Sequence, residues 1–207
     1  MIMCAPVSGR EQTSGRSMEA RKTLASGFWR WLVGTGLERF ELMQTAEQWV
    51  LRGTILAMSS SAAEARYEIV CDAQFRTQRV QVVLRESGGE HRLEISAENG
   101  RWYANGQEAS SVRGAIDVDL GWSPSTNTLP ICRLGLEVGQ SSGEFTAAWV
   151  RFPELVLEPL PQEYRRLNER EYLYTSRGGA FQAKLLVDDY GLVIDYEGFW
   201  QRVSSTE

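Results

Sequence analysis

The sequence has 207 residues, of which 43% are hydrophobic and 24% are charged, and its formal net charge is −5 at pH 7. These values predict one globular domain, and the scattered basic residues argue against a nucleic-acid partner. No apolar run approaches the roughly 20 residues that cross a bilayer, so no transmembrane segment is expected.

The N-terminal segment differs from the rest of the chain. Residues 1–26 are rich in Ser, Gly, Arg and Glu and show no hydrophobic periodicity, which predicts a disordered tail ahead of a single domain at 27–205. The first residues lack the basic start and apolar core of a secretory signal, and the Met1 to Cys4 stretch is too short for a lipoprotein signal. We therefore expect a cytoplasmic protein.

Short strands are predicted from about Phe28 onward. The apolar run at 49–58 is interrupted by Gly53, where we expect a bulge or a bend. Between residues 64 and 98, apolar and polar residues alternate with the period of two that is typical of strands. Two Asn-Gly pairs follow, at 99–100 and 105–106, and they predict tight hairpins because both residues accept positive φ.

The stretch at 117–134, DVDLGWSPSTNTLPICRL, is the most unusual part of the chain. It begins as a strand that places Asp117 and Asp119 on one face. The strand breaks at Gly121, continues as a polar turn, and is expected to resume as a strand after Pro130.

The last hairpin is the clearest one, with apolar residues alternating over 181–187 and a turn at 188–191. No segment shows a sustained apolar stripe with the helical period of 3.6 residues. About a dozen short strands therefore predict an all-β, mainly antiparallel sandwich or barrel with at most short helices.

Few residues are available for enzyme chemistry. His91 is the single histidine, and Cys4, Cys71 and Cys132 form no C-x-x-C pair. Zinc and non-haem iron sites usually need several histidines or paired cysteines, so we predict no metal and no other cofactor. A Ser-His-Asp device would have to use His91, and no G-x-S-x-G elbow is present to hold its serine. We assign no catalytic residue.

The Asp117-x-Asp119 pair has two interpretations. Two carboxylates on one strand face lie close enough to share a divalent ion or to raise each other's pKa, and a D-x-D motif of this kind occurs in metal-dependent sugar transferases. Alternatively, both aspartates hydrogen-bond the broken turn or pair with Arg133.

The aromatic residues also have two interpretations. There are seven each of Trp, Tyr and Phe, and many stand next to an arginine. Neighbours on a strand point to opposite faces, so this pattern is typical of a buried ring beside an exposed arginine. The alternative is a cavity lined by rings, with arginine and aspartate at its mouth.

Four segments carry the most particular strings of the chain: YEIVCDAQFRTQRVQV (67–82), GAIDVDLGWSPSTNTLPICRL (114–134), AAWVRFPELVLEPLPQEYRR (147–166) and AKLLVDDYGLVIDYEGFWQR (183–202). In this order the chain resembles the bacterial glycolipid-binding protein family, from about Phe28 to Arg202. Glu197 stands where that family has a proline, which affects a turn.

The resemblance implies a fold similar to that of lipoprotein and lipid carriers, a curved sheet forming a partly open β-barrel or half-barrel with an apolar interior. Our first hypothesis is therefore a non-catalytic protein that binds a lipid or a glycolipid. Three rings would line its pocket and four polar side chains would meet sugar hydroxyls at the mouth. The rings are Trp122, Trp149 and Tyr174, and the polar residues are Asp117, Asp119, Asn127 and Arg133.

Two further hypotheses stay open. The second is an enzyme acting on carbohydrate conjugates through acidic residues near Asp117 and Asp119. The third is a protein-interaction module whose sheet edge pairs with another chain.

Overall fold

The computed structural model describes residues 21–58 and 62–206. Strands dominate this part of the chain, together with one short α-helix and three 3₁₀ turns. The strands are β1 (Lys22–Trp31), β2 (Thr35–Gln44), β3 (Gln48–Met58), β4 (Ala62–Asp72), β5 (Thr77–Glu86), β6 (Gly89–Glu98), β7 (Arg101–Ala104), β8 (Gln107–Glu108), β9 (Val118–Leu120), β10 (Phe145–Arg151), β11 (Val156–Arg166), β12 (Glu171–Ser176), β13 (Phe181–Val187), β14 (Val193–Tyr196) and β15 (Trp200–Thr206). The helix α1 is Thr128–Leu134, and the 3₁₀ turns are Ser110–Val112, Ser125–Asn127 and Arg177–Gly179.

All of these strands belong to one curved sheet that does not close on itself. Its order runs from β8 to β1 and then from β15 down to β9. Neighbouring strands are antiparallel, except that β9 and β10 are parallel. The prediction of an all-β, mainly antiparallel half-barrel with at most short helices is confirmed.

The two ends of the sheet are short strands. β8 has two residues and β9 has three, so each presents only a short row of backbone groups to another chain. Only a short edge is therefore available for the strand pairing that the interaction-module hypothesis requires.

The pairing of β15 with β1 joins an N-terminal meander, β1 to β8, to a C-terminal meander, β10 to β15. It sets Trp31 opposite Trp200 in the register. β1 begins at Lys22, inside the segment predicted to be a tail, because Lys22 pairs with Gln44 at the end of β2. The rest of that predicted tail lies outside the described residues.

Local sequence explains most of the strands. In β5, Val80, Val82 and Leu84 are buried on one face, while the more exposed residues that alternate with them on the other face are polar except for Val83. The hairpins predicted from the Asn-Gly pairs are confirmed, since Asn99 and Asn105 have φ values of 51° and 48°.

The concave side of the sheet is covered by the chain itself. The segment between β8 and β10 crosses it, and Val112, Val118 and Leu129 are buried there in the same core as Trp29 and Phe40 from the sheet. The interior of the described part of the chain is therefore a packed core rather than an open channel.

Two local predictions need correction. Of the two alternatives predicted at Gly53, the bulge is excluded, because β3 keeps a continuous register with both β2 and β4. The residues after Pro130 form α1 rather than a strand, because proline fits the first turn of a helix, where its missing N–H is not needed. Gly135 ends this helix with a left-handed φ of 54°. No helix within the described residues is long and apolar enough to span a membrane.

Candidate functional site

A pocket of about 300 Å³ lies between the strands β9 and β10 at one end of the sheet and the strands β12 to β15. We call it the polar pocket, because one part of its lining is polar, consisting of Asp119, Ser123, Asn127, Ser176 and Arg177. β9 and β10 point one face into this pocket and bury the other in the core. Asp119 and Trp149 are register partners on the pocket face, while Val118 and Ala148 are partners on the core face.

The rest of the polar pocket is aromatic. Tyr174, Phe181, Tyr196 and Phe199 form five ring contacts among themselves, with ring centroids 5.2–6.4 Å apart and planes tilted by 60–78°. Mutually tilted rings present both faces and edges to the space they enclose. Trp149 closes the opposite wall.

A second, more apolar space of about 220 Å³ adjoins the polar pocket. We call it the apolar groove. The two spaces share Gly121, Phe199 and Trp200, so they lie side by side. The side chains that belong to the groove alone are Trp31, Val33, Ile55, Ala57 and Trp122.

Gly121 stands at the junction of the two spaces because the backbone there is approached closely by an indole. A Cβ atom at this position would lie 2.7 Å from Nε1 of Trp149. Packing therefore requires a glycine at the position where the sequence indicated a break in the strand.

The two aspartates of the D-x-D motif have different environments. Asp117 is buried and accepts hydrogen bonds from both Nε and a terminal nitrogen of Arg133, at 2.9 and 2.5 Å. Asp119 is half-buried, lines the polar pocket and accepts a hydrogen bond from the neutral amide of Gln162. Burial raises the pKa of the Asp119 carboxyl to about 6, against the effect of Gln162 and with a smaller contribution from Asp117.

Arg177 stands at the rim of the polar pocket. Its side chain is exposed, and its guanidinium carbon lies 5.3 Å from the centroid of a Trp149 ring. Its backbone has a φ of 54°, in the left-handed region that is uncommon for a non-glycine residue. Gly178 and Gly179 continue in that region, with φ values of 62° and 89°.

A buried acid lies behind the polar pocket. Glu38 accepts hydrogen bonds from Tyr67 and from Ser123, at 2.5 and 2.7 Å, and Ser123 also contacts Ser125. The second carboxylate oxygen, Oε2, has no hydrogen-bond partner within the described residues. Burial raises the pKa of Glu38 to about 8, although both hydrogen bonds oppose this shift. The carboxyl group is therefore mostly protonated at neutral pH.

The structure separates the predicted ligand-binding residues into three places. Asp119, Asn127, Trp149 and Tyr174 line the polar pocket, and Trp122 lines the apolar groove. The remaining two, Asp117 and Arg133, pair with each other and line neither space.

Sequence reasoning missed Glu38 and Gln162 as parts of this site. Glu38 could have been noticed, because it stands in phase with the inward-facing Phe40 and Leu42 of β2. No sequence signal distinguishes Gln162 from other polar residues of β11. Within the described residues, no three side chains of His, Cys, Asp or Glu come together closely enough to hold a metal ion.

Other hollows lack this combination of features. One of about 360 Å³ is lined by Arg21, Glu68, Arg79 and Tyr103. Its acids are Glu68 and Glu94, of which Glu68 is paired with Arg21 at 2.7 Å, and Tyr103 supplies its single ring. The polar pocket and the apolar groove are therefore the candidate site.

An open, curved, mostly antiparallel sheet with its own chain packed on the concave side defines an all-β protein of the half-barrel class. The chain belongs to the family described as "Putative glycolipid-binding", which matches residues 27–202. The resemblance seen in the sequence is thereby confirmed. The structure is also similar to the crystal structure of a DUF1089 family protein from Pseudomonas aeruginosa, with 29% sequence identity and a TM-score of 0.72. That similarity covers 95% of this chain and 100% of the other. No curated protein matches the chain.

Proposed function

We propose that this protein binds a lipid or a glycolipid without acting on it chemically, and that the binding unit comprises residues 27–205. The observation that carries the proposal is the contact between the polar pocket and the apolar groove, which share Gly121, Phe199 and Trp200. A glycolipid has a polar head joined to an apolar chain, and these two adjoining spaces match both parts. Membership of the glycolipid-binding family supports the same class of ligand.

The apolar groove is the proposed site for the acyl chain. Its walls are the rings of Trp31, Trp122 and Trp200 and the aliphatic side chains of Ile55 and Ala57. Each methylene group that is transferred from water to such a surface contributes about 0.8 kcal/mol. A chain that is only partly buried therefore contributes several kcal/mol to binding.

The polar pocket is the proposed site for the sugar. The rings of Tyr174, Tyr196 and Trp149 offer apolar faces to the C–H groups of a pyranose, and Asp119 offers carboxylate oxygens to its hydroxyl groups. Binding sites commonly combine apolar walls with a few fixed polar groups in this way. Asn127 contributes less, because its side chain already bonds Tyr164 and Pro124.

The test is native mass spectrometry of the protein after purification without detergent, followed by organic extraction of any bound molecule. The expected result is a retained mass in the lipid range that solvent releases. Ala57→Phe, which fills the apolar groove, should abolish this retention. Leu56→Phe is the matched control, because Leu56 is 50% exposed and points to the other face of β3. A clean unliganded mass, unchanged by added glycolipids, contradicts the proposal.

Asp119 keeps the enzyme hypothesis as a second candidate. A half-buried carboxyl group whose pKa is raised to about 6, in a pocket, is suited to general acid–base chemistry. The test is incubation of the wild type with glycolipids, with product analysis of the head group and the chain. Turnover that Asp119→Asn abolishes while the fold is kept supports an enzyme; bound but unchanged ligand supports the binding protein.

A further inference from the structure

Asp119 is a half-buried carboxylate without a cationic partner in the part of the chain that the structure describes. Its neighbour in the motif, Asp117, is neutralised by Arg133, whereas the hydrogen bond to Asp119 comes from the uncharged amide of Gln162. Removing a carboxylate from water without a counter-charge is costly. A ligand that brings a positive charge to Asp119 relieves this cost.

The walls of the polar pocket are also suited to a cation. Tyr174, Tyr196, Phe181 and Phe199 surround the space next to Asp119 with tilted rings, and aromatic rings attract cations through their electron-rich faces. One wall shows this behaviour directly, since the Arg177 guanidinium carbon lies 5.3 Å from a Trp149 ring centroid. Cages of aromatic rings are a recurring recognition site for ammonium ligands.

We infer that the polar pocket selects a head group that carries a positively charged nitrogen, with Asp119 as its counter-ion and the rings of Tyr174 and Tyr196 beside it. Together with the acyl-chain site, this names the ligand class as amino-sugar glycolipids. The inference rests on the proposed function, because it assigns the head group of the ligand that the apolar groove holds by its chain.

Charge balance separates this inference from ordinary sugar binding. A neutral sugar forms hydrogen bonds with Asp119 but leaves its charge buried, whereas an ammonium group forms hydrogen bonds and also cancels the charge. The site should therefore distinguish two ligands that differ only by an amino group in place of a hydroxyl group. Arg177 is exposed at the rim, where water and salt screen its charge from such a ligand.

The experiment is isothermal titration calorimetry at pH 7 with three probes that carry the same chain. They are hexyl glucoside, hexyl 2-amino-2-deoxyglucoside and hexylammonium. The wild type should bind the amino sugar about tenfold more tightly than the neutral sugar, which is the ratio expected from one partly buried charge pair. Hexylammonium should bind more weakly than the amino sugar, because it lacks the ring that stacks on the pocket walls.

Asp119→Asn should remove the preference, so that both sugars bind with the same affinity. Asp195→Asn is the matched control: it removes one negative charge beside Tyr196, on a residue that points to the opposite face of β14, and it should keep the preference.

Equal affinities of the wild type for the two sugars overturn the inference and leave the proposed function standing. A preference that persists in Asp119→Asn also overturns the inference. Hexylammonium binding as tightly as the amino sugar overturns the sugar part of it, and no binding of any probe overturns both the inference and the proposed function.

Discussion

The hydroxyl group of Tyr67 donates a 2.5 Å hydrogen bond to Glu38, although the two residues lie on strands separated by β3. The tyrosine crosses β3 over Gly53, which is its register partner and has no side chain. This contact ties three strands together behind the polar pocket, and Ser123 joins the same carboxyl group to the segment on the concave side. One glycine thus permits a buried polar connection between the sheet and the candidate site.

Gly53→Ala is expected to destabilise the protein by about 1–3 kcal/mol, as overpacking of a buried site does. A Cβ atom at this position would lie 2.6 Å from the Tyr67 hydroxyl and 2.7 Å from the carbonyl oxygen of Arg39. Tyr67 can move away only by losing its hydrogen bond to Glu38, and the Arg39 carbonyl group cannot shift easily because it belongs to the sheet. The measurement is urea unfolding. Gly88→Ala is the control, because its Cβ would meet nothing closer than 3.7 Å. Equal midpoints for the two variants would show that the contact over Gly53 is unimportant.

Glu38→Gln is expected to remove a pH dependence of the free energy of unfolding. The pKa of Glu38 is raised from 4.5 to about 8 in the folded protein, so the folded state binds one more proton than the unfolded state between these values. The stability that this proton provides is fully present below pH 4.5 and is lost as the pH rises toward 8, at up to about 1.4 kcal/mol per pH unit. Glutamine mimics the protonated acid, since its oxygen accepts from Tyr67 and Ser123.

The check is a series of urea unfolding curves between pH 5 and pH 9 for the wild type and for Glu38→Gln. The difference between the two should grow in favour of the variant up to about pH 8 and then level off. A difference that stays constant across this range would mean that Glu38 is ionised throughout.

Asp119→Asn is expected to stabilise the unliganded protein at pH 7–8 by about 1–2 kcal/mol, a value reduced from the full pKa shift because the carboxyl group is half-buried. The folded pKa of about 6 exceeds the usual 3.8, so the ionised acid costs stability above pH 6 and the gain should vanish near pH 3.5. Thermal unfolding at both pH values measures it, with Asp195→Asn as the control. Destabilisation by Asp119→Asn at pH 8 would indicate that the carboxylate is already well compensated.

Arg133→Met is expected to destabilise the protein by about 3–5 kcal/mol, because it leaves the Asp117 charge buried without its partner. The double variant Asp117→Asn/Arg133→Met should recover part of this loss, since it buries no charge. A double-mutant cycle from urea midpoints isolates the coupling. If the double variant is as unstable as the sum of the single ones, the pair is not coupled and Arg133 acts through its packing on Phe145.

Local patterns determined the class of fold. The alternation of Val80, Val82 and Leu84 indicated a strand with one buried face, and the asparagines at 99 and 105 indicated hairpins, because strand faces and turn conformations depend on residues close together in the chain. The same reasoning did not decide the outcome at Gly53. A glycine inside a strand is compatible with a bulge or with a close approach, and the choice depends on Tyr67, which arrives from another strand.

The candidate site was predicted in part. The sequence singled out Asp119, Asn127, Trp149 and Tyr174, and these residues meet in the polar pocket. The sequence could not assign different environments to Asp119 and Asp117. The period of the strand places both side chains on one face, but it does not indicate which residues they contact there.

The sequence by itself therefore determined the strands, most of the turns and the family. Only the tertiary structure decided that Asp117 meets Arg133 while Asp119 meets the amide of Gln162, 43 residues away along the chain. The physical reason is the distance along the chain over which the determining interactions act. A strand or a turn is set by the steric and hydrogen-bonding preferences of neighbouring residues, whereas the charge, burial and pKa of a carboxyl group depend on whatever distant segments fold against it.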